Sequence, residues 1–171
     1  GEEGRLEKTA SAYREAAERI RRMEPETLIL LSPHQTMYAD YFHISPGDHA
    51  EGDFGQFRAG QVKMRVEYDT EFVENLCKLA EAGELPAGTA GERDRRLDYG
   101  TMVPLYFINQ YWTGYKLVRV GLSGLSLATH YELGRRIRET IEVLCRNAVV
   151  IGSGDLSHRL KEEGPYGYSA E

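Results

Sequence analysis

The stretch TLILLSPH, Thr27 to His34, decides how the rest of the sequence is read. Its continuous apolar run, Leu28 to Leu31, is typical of a β-strand buried on both faces, as in a parallel sheet covered by helices. Ser32, Pro33 and His34 follow at once. Because ligands of open α/β sheets bind outside the carboxyl ends of the strands, a histidine in this place is aimed toward a binding crevice.

Helical segments and apolar strand segments alternate along the rest of the chain. The patterns predict helices over residues 5–23, 70–82, 103–111 and 127–145, and strands over 62–68, 116–122 and 148–151. This alternation favours an α/β fold with a mostly parallel central sheet flanked by helices. We expect residues 1–171 to form a single domain that is incomplete at both ends, since neither end supplies a closing element.

Two long segments, 33–60 and 85–100, are predicted to be loops, and loops of that length are more often functional than accidental. His43 and His49 lie in the first segment among acidic residues. We expect both to be solvated loop residues, with a metal-binding or substrate-lid role as the alternative. His130 opens a predicted helix, where a surface position is expected.

Composition restricts the classes of function. The formal net charge is -6, which argues against sequence-independent binding to nucleic acid. No apolar run approaches the roughly 20 residues of a membrane-spanning helix, so no membrane association is expected. Cys77 and Cys145 are distant in sequence and lie in helical patterns, which suits buried free thiols in a reducing compartment. We therefore expect a cytoplasmic protein.

Three of the predicted strands end in polar residues: LILLSPH, LVRVGLSG and AVVIGSGDLSH. If the strands are parallel neighbours, their polar ends converge in one crevice, and the residues brought together are His34, Ser123, Ser153, Asp155 and His158. An imidazole near neutral pH serves as a metal ligand or as a proton shuttle. His34 suits the first task and His158 the second, while the alternative is that both are loop histidines bonded to the backbone.

The order of several motifs carries a resemblance over essentially the whole chain. The motifs are SPHQTMYADYFHISPG, GDFGQF, VEYDTEFVENLCKLAE, LDYGTMVPLYFIN, LVRVGLSGL and SGDLSHRLKEEGPYGYSAE. In this order they resemble the LigB-type (class III) extradiol ring-cleavage dioxygenases, and within them the Memo-like domain of the AmmeMemoRadiSam system proteins.

The resemblance implies a non-haem Fe(II) enzyme that opens catecholic aromatic rings with dioxygen. It assigns His34 as a metal ligand and His158 as the acid/base, and it implies that the other iron ligands lie outside these 171 residues. Asp98 and Tyr99 would be pocket residues, with Tyr99 in the place of a family histidine. Ser153 and Asp155 would bind substrate or support residues that do.

Two functions are therefore expected. The first is a metal-dependent dioxygenase domain acting on an aromatic small molecule. The second is a non-catalytic Memo-like module that keeps the fold and the crevice and binds a protein partner or a small ligand. A missing strand would leave an unpaired sheet edge, so we expect the isolated chain to aggregate or to form a homo-oligomer unless a partner covers that edge.

Overall fold

The structure, a computed structural model, describes residues 3–155, 157–159 and 161–170. In this part of the chain, helices alternate with short strands. The helices are α1 (Glu3–Met23), α2 (Thr70–Ala82), α3 (Tyr99–Ile108) and α4 (Leu127–Leu144). The strands are β1 (Thr27–Ser32), β2 (Phe42–His43), β3 (His49–Phe54), β4 (Ala59–Glu67), β5 (Ala87–Gly88), β6 (Lys116–Gly121) and β7 (Ala148–Gly152).

The central sheet has three parallel strands in the order β6-β1-β7. Thr27, at the start of β1, lies opposite Lys116 on one side and Ala148 on the other. Within the described residues β7 is an edge strand, and its Val150 is 53% exposed. The prediction of an α/β fold around a parallel sheet is confirmed.

Alternate residues of β1 face two separate hydrophobic cores, since successive side chains of a strand point to opposite faces. Leu28 and Leu30 belong to a core shared with α1 and α3. Ile29 belongs to a second core, shared with α2 and α4. All three side chains are fully buried. Helices on both faces explain why this strand reads as a continuous apolar run rather than an alternating one.

The prediction of a structureless loop over residues 33–60 is wrong. This segment contains β2 and the strand β3, which pairs antiparallel with β4. Phe42 and Ile44 are fully buried in the second core, and His43 between them is also fully buried. The ring Nδ1 of His43 lies 3.0 Å from the backbone oxygen of Ala90. The expectation of a solvated His43 is therefore wrong, whereas His49 is exposed beside Asp48.

Two helix boundaries also differ from the predictions. Helix α3 begins at Tyr99 rather than near Pro104, because the Asp98 side chain caps it by accepting the backbone N–H of Thr101. Helix α4 ends at Leu144, so Cys145 adopts a left-handed conformation (φ 50°) and is exposed. The expectation that Cys145 is a buried thiol is wrong, while Cys77 is half-buried.

No described helix combines the length and apolarity needed to cross a bilayer. His130 is half-buried at the surface, where its ring packs edge-on against Phe42 at 4.7 Å between centroids.

Candidate functional site

The carboxyl ends of the three sheet strands meet at one edge, as the sequence predicts. Ser32 at the end of β1 lies opposite Gly121 at the end of β6. The chain leaving β7 stays alongside, because the backbone N–H of Ser153 donates to the oxygen of Leu31 at 2.9 Å. His34, two residues beyond β1, is half-buried at this edge.

His34 is paired with Tyr99, the first residue of α3. The Tyr99 hydroxyl lies 2.8 Å from His34 Nδ1, and the two ring centroids are 4.1 Å apart with planes tilted by 36°. Phe57 packs edge-on against Tyr99 at 5.7 Å between centroids. If His34 Nδ1–H donates to the tyrosine oxygen, the lone pair on Nε2 is left free to bind a metal ion.

Asp98 fixes the residues around that pair. Its Oδ1 accepts from the Ser32 hydroxyl at 3.0 Å and from the Thr101 N–H at 2.9 Å. Its Oδ2 accepts from the Thr101 hydroxyl at 2.7 Å and from Arg119 Nε at 3.2 Å, and Arg119 Nη2 lies 3.2 Å from the same oxygen as an ion-pair partner. Because every contact comes from a donor, the carboxylate is an acceptor held by the protein, and it orients neighbouring residues rather than facing a ligand.

Ser32 links Asp98 to His34 through two hydrogen bonds. Its hydroxyl donates to Asp98 and accepts the backbone N–H of His34 at 3.1 Å. The site is tightly packed at Gly100, where an added Cβ would lie 2.5 Å from Ser32 Oγ and 2.8 Å from His34 Cδ2. Glycine is thus required by space at this point.

Pro104, inside α3, leaves a backbone carbonyl of the helix free to bond with the end of β7. A proline has no N–H, so the carbonyl four residues before it, that of Gly100, receives no helical hydrogen bond from Pro104. The Ser153 hydroxyl donates to that carbonyl at 2.6 Å. Ser153 is therefore placed as a connector between the sheet edge and the helix that carries Tyr99.

His158 and Asp155 form a second pair beyond β7. His158 Nε2 lies 3.1 Å from Asp155 Oδ2, and their side chains are 57% and 59% exposed. The ring of Tyr166 lies 5.2 Å from that of His158. A carboxylate beside one ring nitrogen favours a defined orientation of the imidazole, which suits proton transfer. In the part of the chain that the structure describes, no hydrogen bond or ion pair links this pair to His34.

Ser123 is placed differently from the other predicted residues. Its backbone pairs with that of Tyr38 in an isolated bridge, and its hydroxyl accepts the N–H of Leu125 at 3.2 Å. Ser123 thus serves the turn that leads into α4.

Comparison with known proteins extends over the whole sequence. The family described as "Catalytic LigB subunit of aromatic ring-opening dioxygenase" matches residues 1–171. The chain belongs to this LigB family. It is 39% identical to Protein CA_C1420 of Clostridium acetobutylicum, in an alignment that covers 99% of the chain and 38% of that protein.

Two further relatives carry enzyme names. The chain is 28% identical to the 3,4-dihydroxyphenylacetate 2,3-dioxygenase of Escherichia coli, over 93% of the chain and 61% of the enzyme. It is 27% identical to the 2-aminophenol 1,6-dioxygenase beta subunit of a Pseudomonas species, over 95% of the chain and 56% of that subunit. The LigB chain described here thus spans 38% to 61% of the length of these relatives.

The described residues of this LigB chain do not complete a metal site. No group of three or more histidine, cysteine or carboxylate side chains in them is arranged to hold an ion. Stable sites for such metals take about three protein ligands. His34 has the chemistry of one ligand, and the other side chains near it are occupied by hydrogen bonds within the protein.

Several residues of the site were not predicted from the sequence. Ser32, Thr101 and Arg119 hold Asp98, and Phe57 packs on Tyr99. Arg119 had a readable signal, since it is the one charged residue inside the otherwise apolar run LVRVG. Phe57 had none, because it lies in the short turn between β3 and β4, inside the segment 33–60 that was predicted to be a loop.

Proposed function

We propose that this LigB chain is part of an extradiol-type dioxygenase that opens an aromatic ring bearing two adjacent hydroxyl groups, or a hydroxyl beside an amino group. The names of the two enzyme relatives support this substrate class. The observation that carries the proposal is the strand-end His34, held through Nδ1 by Tyr99 at the edge where ligands of such sheets bind.

His34 is proposed to be one ligand of a non-haem Fe(II) ion whose remaining ligands come from outside these 171 residues. Such an ion would hold the aromatic substrate and dioxygen together. Tyr99 would keep the His34 ring in one orientation and in the tautomer with a free Nε2. The Tyr99 ring stands beside His34 and Phe57 packs edge-on against Tyr99, so the two rings would limit the directions in which a flat ring can approach.

His158 is proposed to be the acid/base that takes the proton of a substrate hydroxyl and returns it later. The Asp155 carboxylate 3.1 Å from His158 Nε2 supports this role, because it orients the imidazole ring. Ser153 would act indirectly, by holding α3 against the end of β7.

The test uses the intact protein, loaded with Fe(II) without air and then given oxygen with a catechol or a 2-aminophenol. Oxygen uptake and the absorbance of the ring-opened product are followed together. We expect His34→Ala to lose bound iron and His158→Ala, with iron retained, to lose more than tenfold in turnover, the low end of acid/base contributions. His49→Ala, an exposed histidine beside Asp48, is the control and should change neither.

Ring opening that persists at the full rate in His158→Ala would remove His158 from the mechanism. Full iron occupancy in His34→Ala would remove His34 as a ligand. If the unaltered protein neither retains iron nor opens either compound, the dioxygenase proposal fails.

A second function is favoured by one observation, the lack of a three-ligand group in the described residues. On this view the chain is a non-catalytic module, such as a Memo-like domain, that binds a protein partner or a small ligand at the same edge. Failure of the intact protein both to retain iron and to open any aromatic tested would support it. The two free thiols, Cys77 and Cys145, support the proposal of a cytoplasmic location for either function.

A further inference from the structure

Arg119 is a buried charged residue of β6, the strand beside β1 in the central sheet. It lies opposite Leu30 in the pairing of β6 with β1 and is only 2% exposed. Leu117, two residues earlier on β6, belongs with Leu30 to the core under α1 and α3. Because side chains two residues apart on a strand share a face, the Arg119 side chain also lies on this face.

The only charged partner of this guanidinium in the described residues is Asp98. Nε and Nη2 of Arg119 both lie 3.2 Å from Asp98 Oδ2, and the Asp98 side chain is 10% exposed. The third nitrogen, Nη1, is buried and has no hydrogen-bond partner in the same part of the structure. The pair is thus desolvated, and one of its donors is left unused.

A buried ion pair of this kind contributes little to the stability of the fold. Removing two charges from water costs about as much as their attraction returns, so apolar residues of similar volume often fill such a space equally well. An unpaired buried donor adds a further cost. What the pair does supply is a fixed position for the carboxylate, because two nitrogens of a planar group hold the same oxygen.

That carboxylate controls both members of the His34–Tyr99 pair. Through Oδ1 it holds the Ser32 hydroxyl, which in turn accepts the backbone N–H of His34. Through Thr101 it caps α3, whose first residue is Tyr99. A shift of Asp98 would therefore move His34 and Tyr99 independently, because His34 follows strand β1 whereas Tyr99 is the first residue of helix α3.

We infer that Arg119 is a positioning residue that keeps Tyr99 and His34 Nδ1 within hydrogen-bond distance by fixing Asp98. Its importance for ring opening rests on the proposed function, whereas its effect on the His34–Tyr99 hydrogen bond does not. In the described residues no hydrogen bond or ion pair joins Arg119 to His34 or Tyr99, so it acts through Asp98 and Ser32.

The first experiment follows the ring nitrogens of His34 by NMR in protein with ¹⁵N-labelled histidine, without metal. Tyr99→Phe gives the reference signal for a lost hydrogen bond. We expect Arg119→Met to move the His34 Nδ1 signal most of the way to that reference, and Arg119→Lys, which keeps the charge but not the two-nitrogen contact, to move it part of the way. If Arg119→Met does not fold, Arg119→Lys decides the outcome.

Leu76→Ala is the control for loss of stability. Leu76 is a residue of α2 that is fully buried in the other core, on the opposite face of the sheet from Asp98. This substitution should lower the melting temperature while leaving the His34 signal in place. An unchanged His34 signal in folded Arg119 variants, or an equal shift in Leu76→Ala, would overturn the inference.

The second experiment measures kcat/KM for ring opening by the iron-loaded intact protein below the melting temperature of every variant. We expect a loss of at least tenfold in Arg119→Met, a smaller loss in Arg119→Lys and no change in Leu76→Ala. If the unaltered protein opens no ring but the NMR signals shift as expected, the proposed function fails and the positioning role stands. If the signals shift and kcat/KM stays constant, Arg119 positions the pair without any role in catalysis, and that part of the inference is refuted.

Discussion

Replacing Gly100 with alanine tests how rigidly the site is packed. Gly100 is buried in the first turn of α3, and its backbone is not in the left-handed region, so alanine has no conformational penalty there. The added Cβ would lie 2.5 Å from Ser32 Oγ, 2.8 Å from His34 Cδ2 and 3.0 Å from Asp98 Oδ1. Atoms do not approach that closely, so at least one of these groups has to move.

The cost follows from what holds those groups. If Ser32 turns away, it gives up its hydrogen bond to the Asp98 carboxylate, and bonds to charged groups contribute about 1.5–3 kcal/mol. If Ser32 stays, overpacking costs about 1–3 kcal/mol. Replacing a helical glycine with alanine stabilises the helix by up to about 1 kcal/mol, which offsets part of this cost. We therefore expect Gly100→Ala to lower the free energy of unfolding by about 1–2 kcal/mol.

Gly134→Ala is the matched control. Gly134 is an exposed residue within α4, and apart from its chain neighbours and the adjacent backbone of the helix no described atom lies within 4 Å of the Cβ that alanine would add. The same substitution should there raise the free energy of unfolding by about 0.5–1 kcal/mol, because alanine is the better helix former. The two variants thus differ in sign for one physical reason, the space around the Cβ.

Urea denaturation followed by circular dichroism measures both values, and thermal melting gives a second readout. For a chain of this size, Gly100→Ala should lower the melting temperature by roughly 2–8 °C. The His34–Tyr99 hydrogen bond should weaken in the same variant, since His34 Cδ2 is one of the groups displaced. A Gly100→Ala protein as stable as Gly134→Ala, with an unchanged His34 ring signal, would show that Ser32 and His34 relax freely and are not held as described.

Two further predictions concern groups away from the site. Asp69→Ala should lower the free energy of unfolding by about 2–4 kcal/mol, because it removes the cap of α2 and leaves the fully buried Thr27 hydroxyl, now 2.6 Å from Asp69 Oδ2, without its acceptor. Ser126→Ala, which removes only the exposed cap of α4, should cost about 1 kcal/mol in the same denaturation assay, and equal losses in the two variants would contradict the argument. Burial raises the pKa of the Cys77 thiol, so a smaller fraction of it is thiolate at mildly alkaline pH, and iodoacetamide should modify the exposed Cys145 first. Peptide mass spectrometry after timed alkylation checks the order, and faster labelling of Cys77 would refute it.

The sheet could be predicted from the sequence because one physical signal dominates it. Leu28 to Leu31 have apolar side chains on both faces, and only a strand between two helical layers satisfies such a run. The positions of His34 and Ser153 at one edge follow from the parallel direction of β1 and β7. The pairing of His34 with Tyr99 could not be predicted, since it depends on where α3 begins.

The segment over residues 33–60 shows why the loop prediction failed. Its strands are short, and two of its buried residues, Phe42 and Ile44, flank a histidine that reads as polar. His43 is buried because its Nδ1 finds the carbonyl of Ala90, far away in sequence, and its Nε2 faces the Glu92 carboxylate at 3.4 Å. Contacts between distant segments leave no local pattern, so no rule of spacing could have found them.

The residues that place the reactive groups are harder to find in a sequence than the reactive groups themselves. A histidine is conspicuous because its chemistry is special, whereas Gly100 and Pro104 act by what they lack. Gly100 has no Cβ, which lets Ser32 and His34 approach α3, and Pro104 has no N–H, which leaves the Gly100 carbonyl for Ser153. Because Gly100 has no side chain, the residues at the end of β1 pack directly against it, and its backbone oxygen accepts a hydrogen bond from Ser153 at the end of β7. This double contact fixes α3, and with it Tyr99, against both strand ends. Changes at Gly100 should therefore disturb the His34–Tyr99 pair more than changes at exposed residues of α3.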